Sequence, residues 1–251
     1  MEVLHISTMT GTSEIDSNIN LDNLFNNVNP DSIIHYIQHG SLGIKGKSNK
    51  PKRNSRKPTP KKSFFNQVTL HVNCEKIVNV KLFNNGKVQM TGLKYENHGS
   101  KVLELLIPYL LKLDQQSDRH ILDKTEIIHN PMNIACINSN FSIGYPIKRD
   151  ILHREIVDLG YYSSYEPCIY PGVNIKYYYN SATNDGICKC NVPCNGKGDG
   201  SSNGKCKKIT IAVFQSGEAI ITGARSKLQL DISHKFITDL IKQKQELLRL
   251  N

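Results

Sequence analysis

The chain has 251 residues, 38% of them hydrophobic and 22% charged, with a formal net charge of +10. That is enough apolar material for one large domain or two small ones with real cores, and too much for a disordered chain. No apolar run is long enough to span a bilayer, and the opening Met1-Glu2-Val3-Leu4-His5 lacks the basic and apolar regions of a secretory signal, so a soluble intracellular protein is expected.

In chain order, residues 3–8 read as an extended run. Residues 45–62 then carry nine of the 32 basic residues and no acid, together with Pro51, Pro58 and Pro60. The 23 basic residues that remain face 22 acidic ones, so the charge excess is local rather than spread over the folded part. Such a stretch is expected to be a disordered loop or arm, suited to DNA phosphates, to a nuclear-import receptor, or to nothing but water.

A second extended run at 65–72 leads into Ile77-Val-Asn-Val-Lys-Leu-Phe-Asn-Asn-Gly-Lys-Val-Gln-Met-Thr-Gly92. Two alternating runs around an Asn-Gly turn predict a β-hairpin. Val102, Leu103, Leu106, Ile107, Leu110 and Leu111 then follow the 3.6-residue period of a helix with one buried face, which Pro108 should kink or end early. The same order recurs. Extended runs at 132–137 and 172–179 precede Lys208-Ile-Thr-Ile-Ala-Val-Phe-Gln-Ser-Gly-Glu-Ala-Ile-Ile-Thr-Gly223, and a helical pattern follows through Ile232, Phe236, Ile237, Leu240, Ile241, Leu247 and Leu248. Phe83, Gly86, Thr91 and Gly92 match Phe214, Gly217, Thr222 and Gly223 at one constant offset. An internal repeat of strands closed by a helix predicts an α+β fold with an approximate two-fold.

Strand parity separates the faces. Val78, Val80, Leu82, Val88 and Met90 form the core side of the first hairpin, and Ile209, Ile211, Val213, Ala219 and Ile221 that of the second. Asn79, Lys81, Phe83, Gln89 and Thr91 lie opposite in the first copy; Thr210, Ala212, Phe214, Ile220 and Thr222 do so in the second. Helices cover one face of a single sheet, and Lys81 and Gln89 argue against burial of the other, so a Phe is expected on an open face in each copy.

Three motifs now carry a resemblance. Ser163-Ser-Tyr-Glu-Pro-Cys-Ile-Tyr-Pro-Gly172, Asn133-Ile-Ala, and Phe214-Gln-Ser-Gly-Glu-Ala-Ile-Ile-Thr-Gly-Ala224 resemble, in the same order, motifs of the TATA-box-binding protein family. The match spans most of the chain outside residues 45–62 and the cysteine loop, and it is clearest in the second half. It implies a saddle of two imperfect repeats, 1–118 with the basic insertion 45–62 and 128–251 with a Cys-rich insertion 181–207. A curved antiparallel sheet would carry helices on its convex side. The concave face would open the minor groove of A/T-rich DNA, with aromatic side chains wedged between base steps.

Position by position, the resemblance places Phe83 and Phe214 at the intercalating Phe of each repeat. Tyr170, followed by Pro171, stands at the second wedge of repeat two, and Phe65, with Phe64 as the alternative, at that of repeat one. Asn133 matches an Asn that bonds base edges, with His5 at the equivalent place in repeat one. Thr91 and Thr222 match central groove-contacting Thr, while Ala135 and Ile220 replace groove-lining Val. Gln89, Lys81 and Ser7 replace apolar residues, so the first half should be wetter and less selective for TATA. Lys81 and Lys176 are the candidate phosphate contacts. Glu166 sits in the stirrup that the family offers to transcription factor IIB, whereas Cys168 replaces a second stirrup Glu, which implies a diverged partner.

Cys188, Cys190, Cys194 and Cys206 follow a Cys-x-Cys-x3-Cys-x11-Cys spacing in a polar, Gly-rich stretch. Four thiolates suit a structural zinc; four reduced cysteines in a loop are the alternative. Cys74, Cys136 and Cys168 read as packing residues, and the scattered histidines as surface or satisfied polar groups. No phosphate loop, Ser-nucleophile motif or zinc-protease motif occurs, so an enzyme is disfavoured. The expected function is a transcription initiation factor that binds and bends promoter DNA. Its partners would be double-stranded promoter DNA, a factor IIB-like protein and RNA polymerase machinery, with no membrane. The alternative is an adaptor of the same fold with little TATA selectivity. The richness in Asn, Ile and Lys suits an A/T-rich genome, viral or protist, and so a nucleus or a cytoplasmic viral transcription site.

Overall fold

A computed structural model describes residues 3–40, 42–48, 64–183 and 185–250. The expected basic arm therefore falls largely outside the described residues. The part that is described is ordered: β2 (Ile34–His39) pairs with β3 (Gly43–Gly46), setting Ile37 opposite Lys45. The Lys45 Nζ donates to the carbonyls of Asn26 and Val28 and lies 5.0 Å from the Phe25 ring centroid. Lys45 is thus not the start of a disordered arm. Its ammonium finds two carbonyls and an aromatic face, which composition alone did not reveal.

The chain forms two compact units: residues 10–133, and residues 1–9 with 134–251. β1 (His5–Glu14) contributes to both, dividing after Met9. In the first unit β4 (Gln67–Cys74), β5 (Lys76–Phe83) and β6 (Lys87–Leu93) form an antiparallel meander, in the order β3-β2-β4-β5-β6-β1. α1 (Leu21–Asn27) packs on β2 and β4, and α2 (His98–Gln115) on β4 and β6. Val78, Val80, Leu82, Val88 and Met90 are all buried, as their alternation predicts.

α2 runs through Pro108 to Gln115 instead of ending early. A proline here loses one backbone hydrogen bond and crowds the preceding turn. Burial of Leu103, Leu106, Ile107 and Leu110 on one face offsets that cost. At the C-terminus of α2, the buried Asp114 carboxylate accepts from the amides of Ile121 and Leu122 and pins the return of the chain.

The second unit orders β7 (Asn133–Ser142), β8 (Tyr162–Ser164), β9 (Val173–Tyr179), β10 (Lys207–Val213) and β11 (Glu218–Ala224) as β7-β11-β10-β9-β8, with antiparallel pairing between neighbours. α3 (Arg149–Asp158) packs on β8 and β9, and α4 (Lys227–Gln243) on β9, β10 and β11. Ile209, Ile211, Val213, Ala219 and Ile221 are fully buried beneath them. The final helical pattern is not one helix. α4 ends at Gln243, capped by Lys244, and the short α5 (Gln245–Leu248) follows, burying Leu248 and leaving Leu247 exposed. Among the described residues, no helix is long and apolar enough to cross a membrane.

Candidate nucleic-acid interface

Each unit presents the sheet face opposite its core. In the first, Thr69, Lys81 and Gln89 form a row across β4, β5 and β6, and His71, Asn79 and Thr91 form the next. Lys81 and Gln89 are half-buried and Thr91 is exposed, as their parity predicts, whereas His71 is buried with its ring centroid 4.5 Å from that of Tyr36, so this face is polar and open toward β5 and β6 only. Phe83 ends β5 opposite Gln67, and it is half-buried. Phe83, Gln89 and Asn133 line one shallow pocket of about 540 Å³ beside Pro131. Phe64 and Phe65 stand just before β4, 62% and 67% exposed. Both remain open as wedge candidates, since neither is held by the core.

In the second unit a row runs Tyr162–Lys176–Thr210–Thr222 across β8, β9, β10 and β11. The Lys176 Nζ donates to the Thr210 Oγ1 at 3.0 Å. Burial, and then the neighbouring Lys208, push the Lys176 ammonium below the ordinary lysine value, so a charge is held where an anion would relieve it. Thr222 Oγ1 donates to Asn138 Oδ1, and the Cys136 thiol lies 3.7 Å from the same hydroxyl. Ile134 and Ile137 are both buried although three residues apart, so the alternation of β7 slips by one between them. That slip leaves Asn133 exposed and Ala135 half-buried, and keeps Asn138 and Asn140 off the core side. Ile220 is 39% exposed on this face. His5 is exposed at the start of β1, and the nearby Ser7 hydroxyl donates to Asn140 Oδ1 at 2.6 Å.

The most constrained part is the loop 165–172. Tyr170 is 37% exposed and leans on Phe214, with ring centroids 5.8 Å apart and planes at 58°. A Cβ on Gly172 would lie 2.8 Å from the Tyr170 ring and 3.1 Å from that of Phe214, so only glycine lets the rings close over it. Arg149, the first residue of α3, holds the arrangement from behind. Its guanidinium donates to the Pro171 carbonyl and, at 2.7 Å, to Gln215 Oε1, and it lies 5.3 Å from the Tyr165 ring centroid. Sequence reading missed Arg149, because its partners are 22 and 66 residues away. Glu166 is exposed, and its carbonyl accepts from the amides of Ile169 and Tyr170. Cys168 is exposed at the tip and is not the packing residue its type predicts; the loop is too short to enclose it.

The spacing of the four loop cysteines is resolved by folding. The sulfur atoms of Cys188, Cys190, Cys194 and Cys206 all lie within 4.8 Å of one another, so the cluster can bind a metal ion. Backbone amides, first that of Gly196, hold the Cys194 thiol down at about 7, and burial pushes Cys206 up to about 12.

No family model matches the chain. It is 28% identical over 269 residues to a TATA-box-binding protein-like protein of Acanthamoeba polyphaga mimivirus, a match covering 96% of this chain and 65% of that relative's length. Its fold matches Methanococcus jannaschii TBP with a TM-score of 0.56 at 17% identity, over 96% of this chain and 99% of the other. The chain thus shares the α+β fold of that archaeal TBP and resembles in sequence a TATA-box-binding protein-like protein, of which it spans about two thirds of the length.

Proposed function

We propose that the chain is a transcription initiation factor that binds A/T-rich promoter DNA through the minor groove and bends it, with no catalytic role. The observation that carries the reading is the Tyr170–Phe214 pair, with Tyr170 exposed and Phe214 half-buried, at the end of a sheet face lined by Ile220, Thr222 and Lys176. An aromatic pair on an exposed face is positioned to unstack a base step. Thr222 and Asn133 offer the few polar contacts that a minor groove can read, and Ile220 and Ala135 cover its apolar floor. Phe83 and either Phe65 or Phe64 play the same part in the first unit, with Gln89 and Thr91, and His5 is a further groove contact. Lys81 and Lys176 take phosphates. Flexible A/T steps are the least costly to open, so preference arises from deformability.

In this reading the two repeats divide as 1–118 and 128–251. Glu166 with the exposed Ile169 meets a factor IIB-like partner, and RNA polymerase machinery is recruited through it. A structural zinc closes the cysteine loop. The protein works in a nucleus or at a cytoplasmic viral transcription site. The polar Lys81–Gln89 pair favours a second reading, a protein-docking adaptor that binds DNA without TATA selectivity. Titration with an A/T-rich duplex and a scrambled one, with and without a minor-groove-binding dye, separates the two. Preferential binding that the dye displaces supports the factor. Equal binding that the dye leaves untouched supports the adaptor.

A further inference from the structure

The loop from Ser181 to Cys206 cannot hold itself together by burial. Apart from three glycines, Cys206 is the only buried residue among its described positions. Its shape is nonetheless tightly specified by hydrogen bonds. The Ser181 amide donates to Gly200 O, the Gly198 amide to Cys206 O, and Asn180 Nδ2 to Ser202 O. The loop wraps the open end of the β9–β10 pair. On one side Gln229 of α4 donates its Nε2 to Asp199 O at 2.8 Å. On the other, Gly196 adopts φ +70° directly against Lys208 and Tyr178, where a Cβ would meet the Lys208 Cβ at 2.6 Å. Lys208 and Tyr178 are paired across β10 and β9, on the face that carries Lys176 and Thr210.

The sulfur geometry suits a tetrahedral ion. Zinc–thiolate bonds of about 2.3 Å put neighbouring sulfurs about 3.8 Å apart. Here Cys206 lies 3.8 Å from Cys188 and 3.3 Å from Cys190. N–H donors already point at the sulfurs: Gly204 N lies 3.0 Å from Cys190 Sγ, and Asn180 Nδ2 lies 3.5 Å from Cys206 Sγ. Such donors stabilise the negative charge that four thiolates retain around a divalent ion.

We propose that a divalent, thiophilic metal ion on Cys188, Cys190, Cys194 and Cys206 makes this loop part of the nucleic-acid surface, seating Gly196 against Lys208 and presenting Lys197, Lys205 and Lys208 to phosphates beyond the end of the sheet. This rests on the DNA-binding reading above and names what the metal does for it. Without the ion the loop's hydrogen bonds compete with water, and Lys197 and Lys205 lose their fixed place, whereas Lys208 stays on β10 opposite Tyr178.

The test uses the full chain under reductant, loaded with Zn²⁺ or Co²⁺, or stripped by a chelator. Bound metal is counted after desalting, and tetrahedral thiolate ligation is read from the cobalt absorption. Affinity for a long A/T-rich duplex is then followed against salt. One metal per chain is expected, with a salt slope shallower by about one to two in the stripped chain. Lys197→Gln/Lys205→Gln, still metal-loaded, should lower the slope by about one to two without changing metal content, and should remove the difference between loaded and stripped chains. This variant keeps the cysteines and so separates the effect from misfolding. Absence of tight metal, or identical slopes in loaded and stripped chains, overturns the proposal while leaving duplex binding intact. A loaded chain that binds no duplex at all overturns the DNA-binding reading, and the coupling falls with it.

Discussion

Tyr170 and Phe214 stand with ring centroids 5.8 Å apart although one lies in the loop 165–172 and the other directly follows β10, and their approach depends on the bare Cα of Gly172. If this pair is the wedge, its two rings are not interchangeable. Phe214 is half-buried and braces the pair, whereas Tyr170 is the more open ring. Phe214→Ala is therefore expected to abolish bending and to cost about 1–2 kcal/mol of stability from lost packing. Tyr170→Phe should keep bending and leave stability nearly unchanged. Bending measured by end-label energy transfer, beside urea unfolding, checks both.

Arg149 ties together the neighbours of the Tyr170–Phe214 pair, Pro171 and Gln215. Its two polar contacts need a planar fork, so Arg149→Lys should not restore what Arg149→Ala removes. Because the group is half-exposed, the expected stability loss is no more than about 1 kcal/mol. The larger effect should fall on the bend angle, with affinity at high salt changed less. Equal bending by the Ala variant and the parent chain would show that Pro171 and Gln215 need no such tie.

Lys176 gives a pH signature. Its folded value is lowered below 10.5 by burial and by Lys208, so the folded chain binds this proton less tightly than the unfolded chain. Stability should rise with pH between that lowered value and 10.5, and this group should contribute no pH dependence below it. Lys176→Met should remove that rise, raise stability at neutral pH, and lower the salt slope of DNA binding by about one. Thermal melts at neutral and alkaline pH, with a salt titration of binding, check it.

Asp114 tests the fold apart from function. Burial alone would raise its carboxyl, but the amides of Ile121 and Leu122, with His120, hold it below the ordinary carboxylate value. Its stabilisation is present above the unfolded value of 3.8 and is lost as pH falls through the lowered folded value. Asp114→Ala leaves two amides unpaired and should cost about 2–3 kcal/mol, with DNA preference unchanged once the chain is folded. Acid and urea unfolding measure both parts.

The hairpins were legible because alternation survives wherever one face is dry: every core residue assigned on β5, β6, β10 and β11 is buried. β2, β3 and α3 were not. In α3 only Leu152 and Ile156 are buried, too few to show a period. β3 was masked by its single lysine, Lys45, whose partners Asn26 and Val28 lie 19 and 17 residues away. The same limit hid Arg149. Irregular cysteine spacing understated a cluster that forms only when the loop folds back on itself. Local pattern reports which face is dry; it does not report which distant carbonyl a cation will find.

The most direct test is bending of a TATA-containing duplex, compared with a scrambled one, by end-label fluorescence transfer for the parent chain and the Phe83→Ala/Phe214→Ala double variant. Selective bending of the TATA duplex by the parent, lost in the double variant with the fold intact, is the expected result. Equal, salt-sensitive binding to both duplexes without bending would contradict a minor-groove wedge, and would leave the sheet faces to protein partners.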